Sequence, residues 1–525
     1  MERIASKFIC MIVNRPVRIC VPVCEKTFAA LKTAALKASE LGDMVELRLD
    51  GLDAAEFDSA IEHIAELVRS LLRPTIITLR PTEEGGYRDL DYSSRYAFWS
   101  SRSPHDDVEF FDIERDVVAG FTSPDTHSPV APNWARTICS YHNFKGMPAN
   151  LAEIYEQMAN SPARILKIAV EAGDVIDCLP VFHLLDRARR EGREMIAIAM
   201  GSSGIATRIL GPSRGSFLTY GALENESATA PGQVEAHELK SLYRIQKIDL
   251  KTMICGLVGL PAVYSVSPHM HNAAFESGNV DGVYLPFEVR DVVSFFKRMV
   301  HPRTREIDWN LRGLSVTAPH KASVLDCLDW IEPAAKEIGA VNTVVVEADT
   351  VRGYNTDAAG LVAPLVKSIG SLNGLRVAVI GAGGAASAAV WALQRQNANV
   401  SIFARDPEKG RSLADRFDIS CQALAQTSFT GFDVVVNATP VGSIAGGIKQ
   451  TPATARQLTG ARLIYDLVYN PAETELLRQA SKAGCETLGG LDMLVAQARL
   501  QYKLWTGRTT NPSVMHGAAT TALRG

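Results

Sequence analysis

The chain has 525 residues, of which 46% are apolar and 21% charged, and its formal net charge is −4. At roughly 100–200 residues per domain this length predicts about three globular domains. The small charge and the lack of a long basic run argue against nucleic acid or an anionic membrane as a partner. The nine cysteines have neither C-x-x-C nor Cys/His spacing. They predict reduced thiols, a cytoplasmic protein and no metal site.

The N-terminal run MERIASKFICMIV is only partly apolar and is interrupted by Asn14, Arg15 and Pro16. Such a short run predicts neither a signal peptide nor a membrane span. We therefore expect a cytoplasmic location, and a plastid location only if a transit segment has been removed.

From Val17 onward, short β-rich runs alternate with longer helical ones. Eight strands over about 220 residues predict a (β/α)8 barrel, with a doubly wound open sheet as the alternative. The predicted strands are 18–23, 45–50, 75–80, 108–112, 136–141, 164–170, 194–200 and 216–221, and the predicted helices include 27–41, 54–72, 151–160 and 175–192.

Polar residues interrupt several of these strands close to their ends, and Lys167 lies inside the apolar run RILKIAV. A buried amine needs a counter-charge or loses its proton. The pattern therefore predicts either a Schiff-base lysine or an ion-paired or snorkelling structural lysine.

Six stretches occur in a fixed order: ELRLD, TLRPTEEGG, SYHNF, KIAV, MGSSGIATR and TAPGQ. Together they resemble type I 3-dehydroquinate dehydratase, a (β/α)8 enzyme, over residues 15–240. The resemblance implies that Lys167 forms an imine with the substrate ketone and that His142 transfers protons. It also implies that Glu84, or else Glu83, orients His142. The substrate would be held by Glu46, Arg48, Arg80, Arg208, Thr229 and Gln233, with Thr229 standing where the family usually has serine.

Several of these residues also have structural interpretations. Arg48 and Glu46 could form an ion pair inside the barrel, and Gln233 could cap the helix that begins at Ala236. His142 considered by itself could be a structural histidine. Arg208 is the residue implied to grip the substrate carboxylate, because a planar guanidinium makes a two-point contact.

Residues 236–251 are charged and carry apolar residues at helical spacing. They predict a last helix and a short packed connector between two different halves. The predicted domains are a barrel at 1–240 and a connector at 241–252, followed by the second half.

The second half contains an apolar run at 375–380, the turn GAGGAA and a helical stretch. This order predicts a Rossmann-type domain whose turn holds a dinucleotide pyrophosphate, with a ligand-free glycine turn as the alternative. The cofactor-binding residues would be Gly381, Ala382, Gly383, Gly384 and Ala385.

The strand predicted at 399–404 is followed by Arg405 rather than by an acidic residue. Arginine at this point accommodates the 2′-phosphate of NADP(H). Lys409 either adds a second positive charge or is a solvated surface lysine. Asp406, beside Arg405, is the residue that fits a phosphate site least well.

Seven further motifs surround this turn: SVSP, SVTAPHK, GAVNTV, GYNTDAAG, NATPVG, DLVYNPAET and GGLDMLVAQA. They resemble shikimate dehydrogenase over residues 253–525. The resemblance implies a substrate-binding domain at 253–357, completed by 489–525, and an NADP-binding domain at 358–488.

The same resemblance assigns Lys321 and Asp357 as the catalytic pair. By themselves they could also be a lysine at a helix start and the N-cap of 358–367. Tyr264 stands where the family commonly has histidine. Substrate would be bound by Ser265, Ser267, Thr317, Asn342, Tyr469 and Gln497, and Asn437 and Thr439 would line the cofactor.

Together the halves resemble the bifunctional enzymes of the shikimate pathway, which implies 3-dehydroquinate, 3-dehydroshikimate and shikimate as substrates and products. A monomer is compatible with the sequence. Three alternatives remain at this point: a dehydratase fused to a quinate dehydrogenase, a non-enzymatic sensor of such ligands, and a class I aldolase fused to an unrelated reductase. The aldolase would account for Lys167 but not for His142 together with TAPGQ.

Overall fold

The computed structural model describes residues 16–101, 107–123, 131–425, 427–444 and 446–524. The N-terminal run interpreted above lies outside these ranges. The chain divides into two compact units. The first comprises residues 1–252, 287–289 and 306–309, and the second comprises 253–286, 290–305 and 310–525. Among the described residues, no helix is long and apolar enough to cross a membrane. The predicted domain boundaries stay predictions.

The first unit contains eight parallel strands in the order β7-β6-β5-β4-β3-β2-β1-β8. The Phe217 amide donates to the Met195 carbonyl at 2.7 Å and links the two ends of the sheet. The predicted barrel is thus confirmed, and the open sheet is wrong. The strands are β1 Ile19–Val23, β2 Met44–Arg48, β3 Thr75–Thr78, β4 Phe110–Glu114, β5 Thr137–Asn143, β6 Ile165–Glu171, β7 Glu194–Met200 and β8 Thr219–Tyr220.

The helices that were predicted for this unit lie close to their observed positions. Over 236–251, where a last helix and a short connector were predicted, the helix ends at Ser241, Arg244 adopts a left-handed conformation with φ of 50°, and a short 3-10 turn follows at Ile245–Lys247. The helices are α1 Phe28–Leu41, α2 Ala54–Ser70, α3 Tyr92–Ser100, α4 Arg115–Thr122, α5 Leu151–Ala159, α6 Cys178–Glu191, α7 Ile205–Leu210 and α8 Ala236–Ser241.

Residues two apart along a strand point to the same side, so the barrel interior is built in layers. One layer is apolar and fully buried, and it contains Cys20, Met44, Ile76, Phe110, Ile138, Ile165, Ile196 and Leu218. Two positions further toward the carboxyl ends, the same strands carry polar side chains. These include Glu46, Thr78, Asp112, Ser140 and Lys167, all of them buried.

The second unit begins with a six-stranded mixed sheet in the order β10-β9-β11-β13-β14-β12. The C-terminal helices pack on its first helix through a core that includes Phe275, Tyr502 and Met515. The strands are β9 Met253–Gly259, β10 Gly282–Glu288, β11 Leu311–Val316, β12 Trp330–Ile331, β13 Thr343–Glu347 and β14 Thr350–Tyr354. The helices are α9 Ser267–Ser277, α10 Val292–Phe295, α11 Pro333–Ile338, α17 Leu491–Thr506 and α18 Pro512–Ala522.

The other sheet of the second unit has six parallel strands in the order β17-β16-β15-β18-β19-β20. This is the 3-2-1-4-5-6 order of dinucleotide-binding sheets, so the predicted Rossmann-type fold is confirmed. The strands are β15 Arg376–Ile380, β16 Asn399–Ala404, β17 Ser420–Ala423, β18 Val434–Asn437, β19 Leu463–Asp466 and β20 Glu486–Leu488. The helices are α12 Asp357–Ile369, α13 Gly384–Arg395, α14 Pro407–Phe417, α15 Ala455–Leu458 and α16 Glu475–Lys482.

The packing of α13 on this sheet leads to a stability prediction. Leu393 is 0% exposed in the core with Val377 and Val379. Leu393→Ala should therefore destabilise the second unit by about 2–5 kcal/mol through lost burial and a residual cavity. Ile448→Ala, at a position 46% exposed, is the matched control and should cost less than about 0.5 kcal/mol. Denaturant unfolding with separate probes of the two units would measure both, and equal losses in the two variants would contradict the packing.

Candidate active sites

The first site lies at the carboxyl ends of the barrel strands, where its central amine is Lys167. Its Nζ is 2.7 Å from Asp112 Oδ2 and 3.5 Å from Glu46 Oε1. It also lies 4.5 Å from the centre of the Tyr220 ring. Lys167 is only 5% exposed, so the lysine does not snorkel to bulk solvent but is held in an ion pair.

The second group at this site is the pair His142 and Glu84. Glu84 Oε2 lies 3.0 Å from His142 Nδ1 and accepts a 3.2 Å hydrogen bond from the His142 amide. Glu83 is exposed, so Glu84 is the acid that orients the histidine. Because Glu84 takes one ring nitrogen, Nε2 is the nitrogen left to exchange a proton with a substrate.

The charge state of this pair is set by burial. Burial raises the pKa of Glu84 to about 8, against the opposing effect of Arg80. Burial also lowers the pKa of His142 well below its usual range, and the positive charges of Arg80 and Lys167 lower it further. A third positive charge is therefore disfavoured here, and the imidazole is held neutral, as a general base requires.

Two acids that the sequence interpretation missed connect these groups. Arg80 Nη2 is 2.7 Å from Asp112 Oδ1, and Arg80 Nη1 is 2.9 Å from Glu114 Oε1 and 2.8 Å from Ser140 Oγ. Burial alone would raise the pKa of Asp112, but Arg80 and Lys167 outweigh it and hold that pKa far below its usual range. The signal for both acids was present in the strand FFDIE, where they occupy alternate positions.

Arg48 and Glu46 do not form the ion pair that was one of the alternatives. Arg48 makes a two-point contact with Asp50, at 2.9 Å and 2.8 Å. Glu46 Oε1 instead accepts a 2.7 Å hydrogen bond from Thr78 Oγ1. Arg48 and Glu46 thus have separate partners, and both line the same cavity as Lys167.

The remaining predicted residues close the site from α7, which carries Arg208, and from the loop before α8, which carries Thr229 and Gln233. Arg208 Nη2 donates to the Pro231 carbonyl at 3.1 Å, and burial lowers the pKa of Arg208 to about 10. Gln233 bonds to Thr229 in both directions, at 2.8 Å and 3.2 Å, so its side chain braces this loop instead of capping α8. All nine predicted residues line one cavity: Glu46, Arg48, Arg80, Glu84, His142, Lys167, Arg208, Thr229 and Gln233.

The second site has a lysine and a carboxylate at its centre. Lys321 Nζ is 2.5 Å from Asp357 Oδ2, and the other carboxylate oxygen accepts a 2.8 Å hydrogen bond from Asn342 Nδ2. Thr356, and not Asp357, occupies the N-cap position of α12. The carboxylate is therefore used to hold Lys321 and not to cap the helix.

Asn342 is itself fixed from several sides. Its Oδ1 accepts from the Thr356 amide at 2.7 Å and from Thr343 Oγ1 at 2.8 Å, and its Nδ2 is 3.5 Å from Gln497 Oε1. Gln501, which the sequence interpretation missed, extends this network to Thr343 Oγ1 at 3.1 Å.

A group of hydroxyls lies at the start of α9. Ser265 Oγ is 3.0 Å from Ser267 Oγ and 3.3 Å from Tyr469 OH. Neighbouring hydroxyls of this kind can donate to one carboxylate. Thr317 follows β11 and is half-buried, whereas Tyr264 is 61% exposed.

The glycine turn after β15 has the geometry that a dinucleotide requires. Gly381 has a φ of 125°, which only glycine adopts readily. A side-chain carbon added at Gly383 would meet nothing within 4 Å, which leaves room for a phosphate in front of α13. A carbon added at Gly384 would lie 3.3 Å from Lys321 Cβ, so the helix start adjoins the lysine site. Ala382 and Ala385 are half-buried in the same turn.

At the tip of β16, Arg405 and Lys409 are both exposed. Asp406 caps α14 through Oδ1, which accepts from the amides of Glu408 and Lys409 at 3.1 Å and 3.3 Å. Asp406 is therefore explained as a helix cap, and its position beside Arg405 does not require that it bind the ribose of a cofactor.

The loop after β18 depends on Asp466, another acid missed in the sequence. Asn437 Nδ2 donates to Asp466 Oδ1 at 2.9 Å, and Asn437 Oδ1 accepts from Thr439 Oγ1 at 2.7 Å. Asp466 Oδ2 accepts from Thr474 Oγ1 at 2.6 Å. The predicted residues Asn437 and Thr439 are therefore held by a buried carboxylate at the end of β19.

Comparisons with known proteins match each half of the chain to a family. The family model for type I 3-dehydroquinase matches residues 19–249, and that for the shikimate dehydrogenase substrate-binding domain matches 257–344. The model for the shikimate 5′-dehydrogenase C-terminal domain matches 490–520, and one for NADP oxidoreductase, coenzyme F420-dependent, matches 376–464.

Individual relatives span nearly the whole chain. It is 32% identical over 519 residues to the bifunctional 3-dehydroquinate dehydratase/shikimate dehydrogenase, chloroplastic, of Arabidopsis thaliana, covering 94% of this chain and 83% of that protein. It is 28% identical to the shikimate biosynthesis protein AroDE of Chlamydia pneumoniae, covering 93% and 95%. A crystal structure of a shikimate dehydrogenase in complex with NADP+ has 34% identity and a TM-score of 0.49, covering 53% of this chain and 97% of that chain.

The charge state of the buried histidine is directly measurable. At about pH 5.5, where a free histidine is mostly protonated, the ring nitrogens of His142 should give the 15N NMR signals of a neutral imidazole. The reason is that burial and two neighbouring cations oppose its protonation. The His142→Gln variant would assign the signals, and an imidazolium signature at this pH would contradict the expectation.

Proposed function

The chain belongs to the family of bifunctional 3-dehydroquinate dehydratase/shikimate dehydrogenases, and from that premise we propose how its side chains divide two consecutive reactions. The first unit dehydrates 3-dehydroquinate to 3-dehydroshikimate, and the second reduces this product to shikimate with NADPH. The observation that carries the proposal is that nine side chains, drawn from separate strands and loops, converge on one cavity around a buried, ion-paired lysine.

In the first reaction, Lys167 Nζ attacks the ring ketone and water leaves, which forms an imine. The protonated imine withdraws electrons and makes the adjacent C–H acidic. His142 removes that proton through Nε2, while Glu84 holds Nδ1. The same histidine then gives the proton to the departing hydroxyl, and hydrolysis of the imine frees the lysine and the enone product.

Substrate orientation falls to the residues around this amine. Arg208 would receive the substrate carboxylate, because it is a fully buried guanidinium and, within the described part of the chain, Glu171 is the acid whose charge acts on its pKa. Glu46, Arg48, Arg80, Thr229 and Gln233 would hold the ring hydroxyls and shape the cavity. Thr229 keeps the hydroxyl of the serine usual in the family, and its contact with Gln233 supports the same role.

In the second reaction, NADPH supplies the hydride when it is bound at the glycine turn. Gly381, Gly383 and the start of α13 fit the pyrophosphate, and Arg405 and Lys409 fit the 2′-phosphate. Lys321 directs its ammonium at the ketone oxygen and gives it a proton. Asp357, fixed by Asn342, pairs with the lysine and orients it.

The substrate of the second reaction would be held through its carboxylate and its hydroxyls. Ser265 and Ser267, with Thr317 and Tyr469 nearby, would bind the carboxylate, and Asn342 and Gln497 the hydroxyls. The alternatives of a quinate dehydrogenase, a ligand sensor or an aldolase fusion are set aside, because relatives matching over 90% of the chain are shikimate-pathway proteins. The monomeric state and the cytoplasmic location stay predictions.

The two reactions should be separable by single substitutions. With 3-dehydroquinate alone, the wild-type chain should produce enone absorbance, and added NADPH should then be consumed. Lys167→Ala should abolish enone formation yet still reduce supplied 3-dehydroshikimate. Lys321→Ala should form the enone normally and lower the kcat of reduction by about 10²- to 10⁴-fold. Loss of both activities in either variant would contradict this division.

The choice of cofactor should depend on Arg405. Arg405→Ala should raise the KM for NADPH by roughly 10- to 100-fold, since a charge-assisted hydrogen bond is worth about 1.5–3 kcal/mol, and leave the KM for NADH nearly unchanged. Lys409→Ala is the matched control at another exposed cation and should have the smaller effect. An equal rise for both cofactors in Arg405→Ala would show that the residue does not read the 2′-phosphate.

A further inference from the structure

A line of ion pairs leads from Lys167 through the barrel wall to its outer surface. Lys167 pairs with Asp112 at 2.7 Å, and Asp112 pairs with Arg80 at 2.7 Å. Arg80 pairs with Glu114 at 2.9 Å, and Glu114 Oε2 is 3.5 Å from Arg95 Nη1. The proposed function uses the inner members of this line, whereas Arg95 has no role in it so far.

Arg95 lies on α3, outside the barrel strands, and is absent from the lining of the substrate cavity. Its guanidinium makes a two-point contact with Asp116 in the first turn of α4, at 2.8 Å and 2.7 Å. The Arg95 side chain is 9% exposed and that of Asp116 is 49% exposed. The line of charges therefore ends at solvent, on the helical face of the barrel.

We propose that Arg95 is a positioning residue for the dehydration: its positive charge, applied from outside the barrel, keeps Glu114 ionised and thereby keeps Arg80 shared between Glu114 and Asp112. This inference rests on the proposed Schiff-base reaction at Lys167. Arg95 does not touch the substrate, but in this proposal it controls the charge of the site around Lys167.

Glu114 is the member of the line whose charge is most easily changed. Burial raises the pKa of Glu114 to about 7, with Asp112 acting in the same direction and Arg80 and Arg95 opposing it. The charged groups that act on it are Arg80, Glu84 and Arg95 on neighbouring elements and Asp112 on its own strand. A carboxylate with a pKa near neutrality responds strongly to the gain or loss of one neighbouring charge.

The protonation of Glu114 matters because it alters the charge balance beside the lysine. When Glu114 is ionised, Arg80 is shared between two carboxylates, Asp112 and Glu114. When Glu114 is neutral, the buried cluster loses one negative charge, and the positive charge of Arg80 is compensated less well. That change disfavours a cation at position 167, and the protonated imine on which the reaction depends is such a cation.

A purely structural role for Arg95 is the competing explanation, since Arg95 also ties α3 to α4 through Asp116. The two explanations predict different results for two substitutions that break the same tie. Arg95→Gln removes the charge next to Glu114, whereas Asp116→Asn leaves that charge in place. Arg95→Lys keeps a cation and should rescue the first substitution at least in part.

The experiment follows the pH dependence of dehydration by the full chain. In Arg95→Gln the acid limb of the kcat/KM profile should move to higher pH, because Glu114 then takes up its proton more readily. Neither Asp116→Asn nor Arg95→Lys should move the limb upward to the same extent. Reductase activity of each variant with 3-dehydroshikimate and NADPH should match wild type, which verifies the second unit, and the far-ultraviolet circular dichroism and unfolding transition of each variant verify that the barrel is folded.

A second readout needs no catalysis. The carbonyl absorption of protonated Glu114 in infrared difference spectra, assigned with Glu114→Gln, should appear at higher pH in Arg95→Gln than in wild type. Equal protonation of Glu114 in the two proteins would overturn the inference, whether or not the dehydratase is active. An upward shift of the same size in Asp116→Asn would also overturn it and favour the structural role. A wild-type chain without dehydratase activity would instead disprove the proposed function.

Discussion

The burial of one ammonium group beside the barrel axis is the constraint on which the first half of the molecule depends. An amine in an apolar interior must be paired, since desolvation of an isolated charge costs several kcal/mol. Asp112 provides the pair for Lys167, and a buried Asp112 in turn requires Arg80. Each buried charge must be paired with an opposite charge, which must itself be paired. Lys167, Asp112, Arg80 and Glu114 therefore form a continuous series of ion pairs at the strand ends.

The second half uses a simpler form of the same arrangement. Lys321 is also held by a carboxylate, but Asp357 is oriented by neutral amides and hydroxyls instead of further charges. Lys321 is less deeply buried than Lys167. Water therefore solvates part of the Lys321 side chain, whereas Lys167 depends on ion pairs.

The sequence predicted most of this architecture, and the misses share a physical cause. Strand positions and the glycine turn follow from local patterns, which is why the β16 bounds agree residue for residue. Asp112 and Asp466 were missed because their importance arises from contacts with other strands, which a single stretch of sequence does not show. The left-handed conformation of Arg244 was not predictable either, because the apolar spacing of the stretch around it is still helical.

The apolar layer inside the barrel also has a consequence for traffic through the first site. Met44, Ile76, Phe110 and their neighbours fill the interior directly beneath the polar layer, so the cavity is closed toward the amino ends of these strands. Product that has not yet departed occupies the space that the next substrate molecule needs. The reductase on the same polypeptide consumes that product at equal stoichiometry, and by mass action it shifts the dehydration in the forward direction.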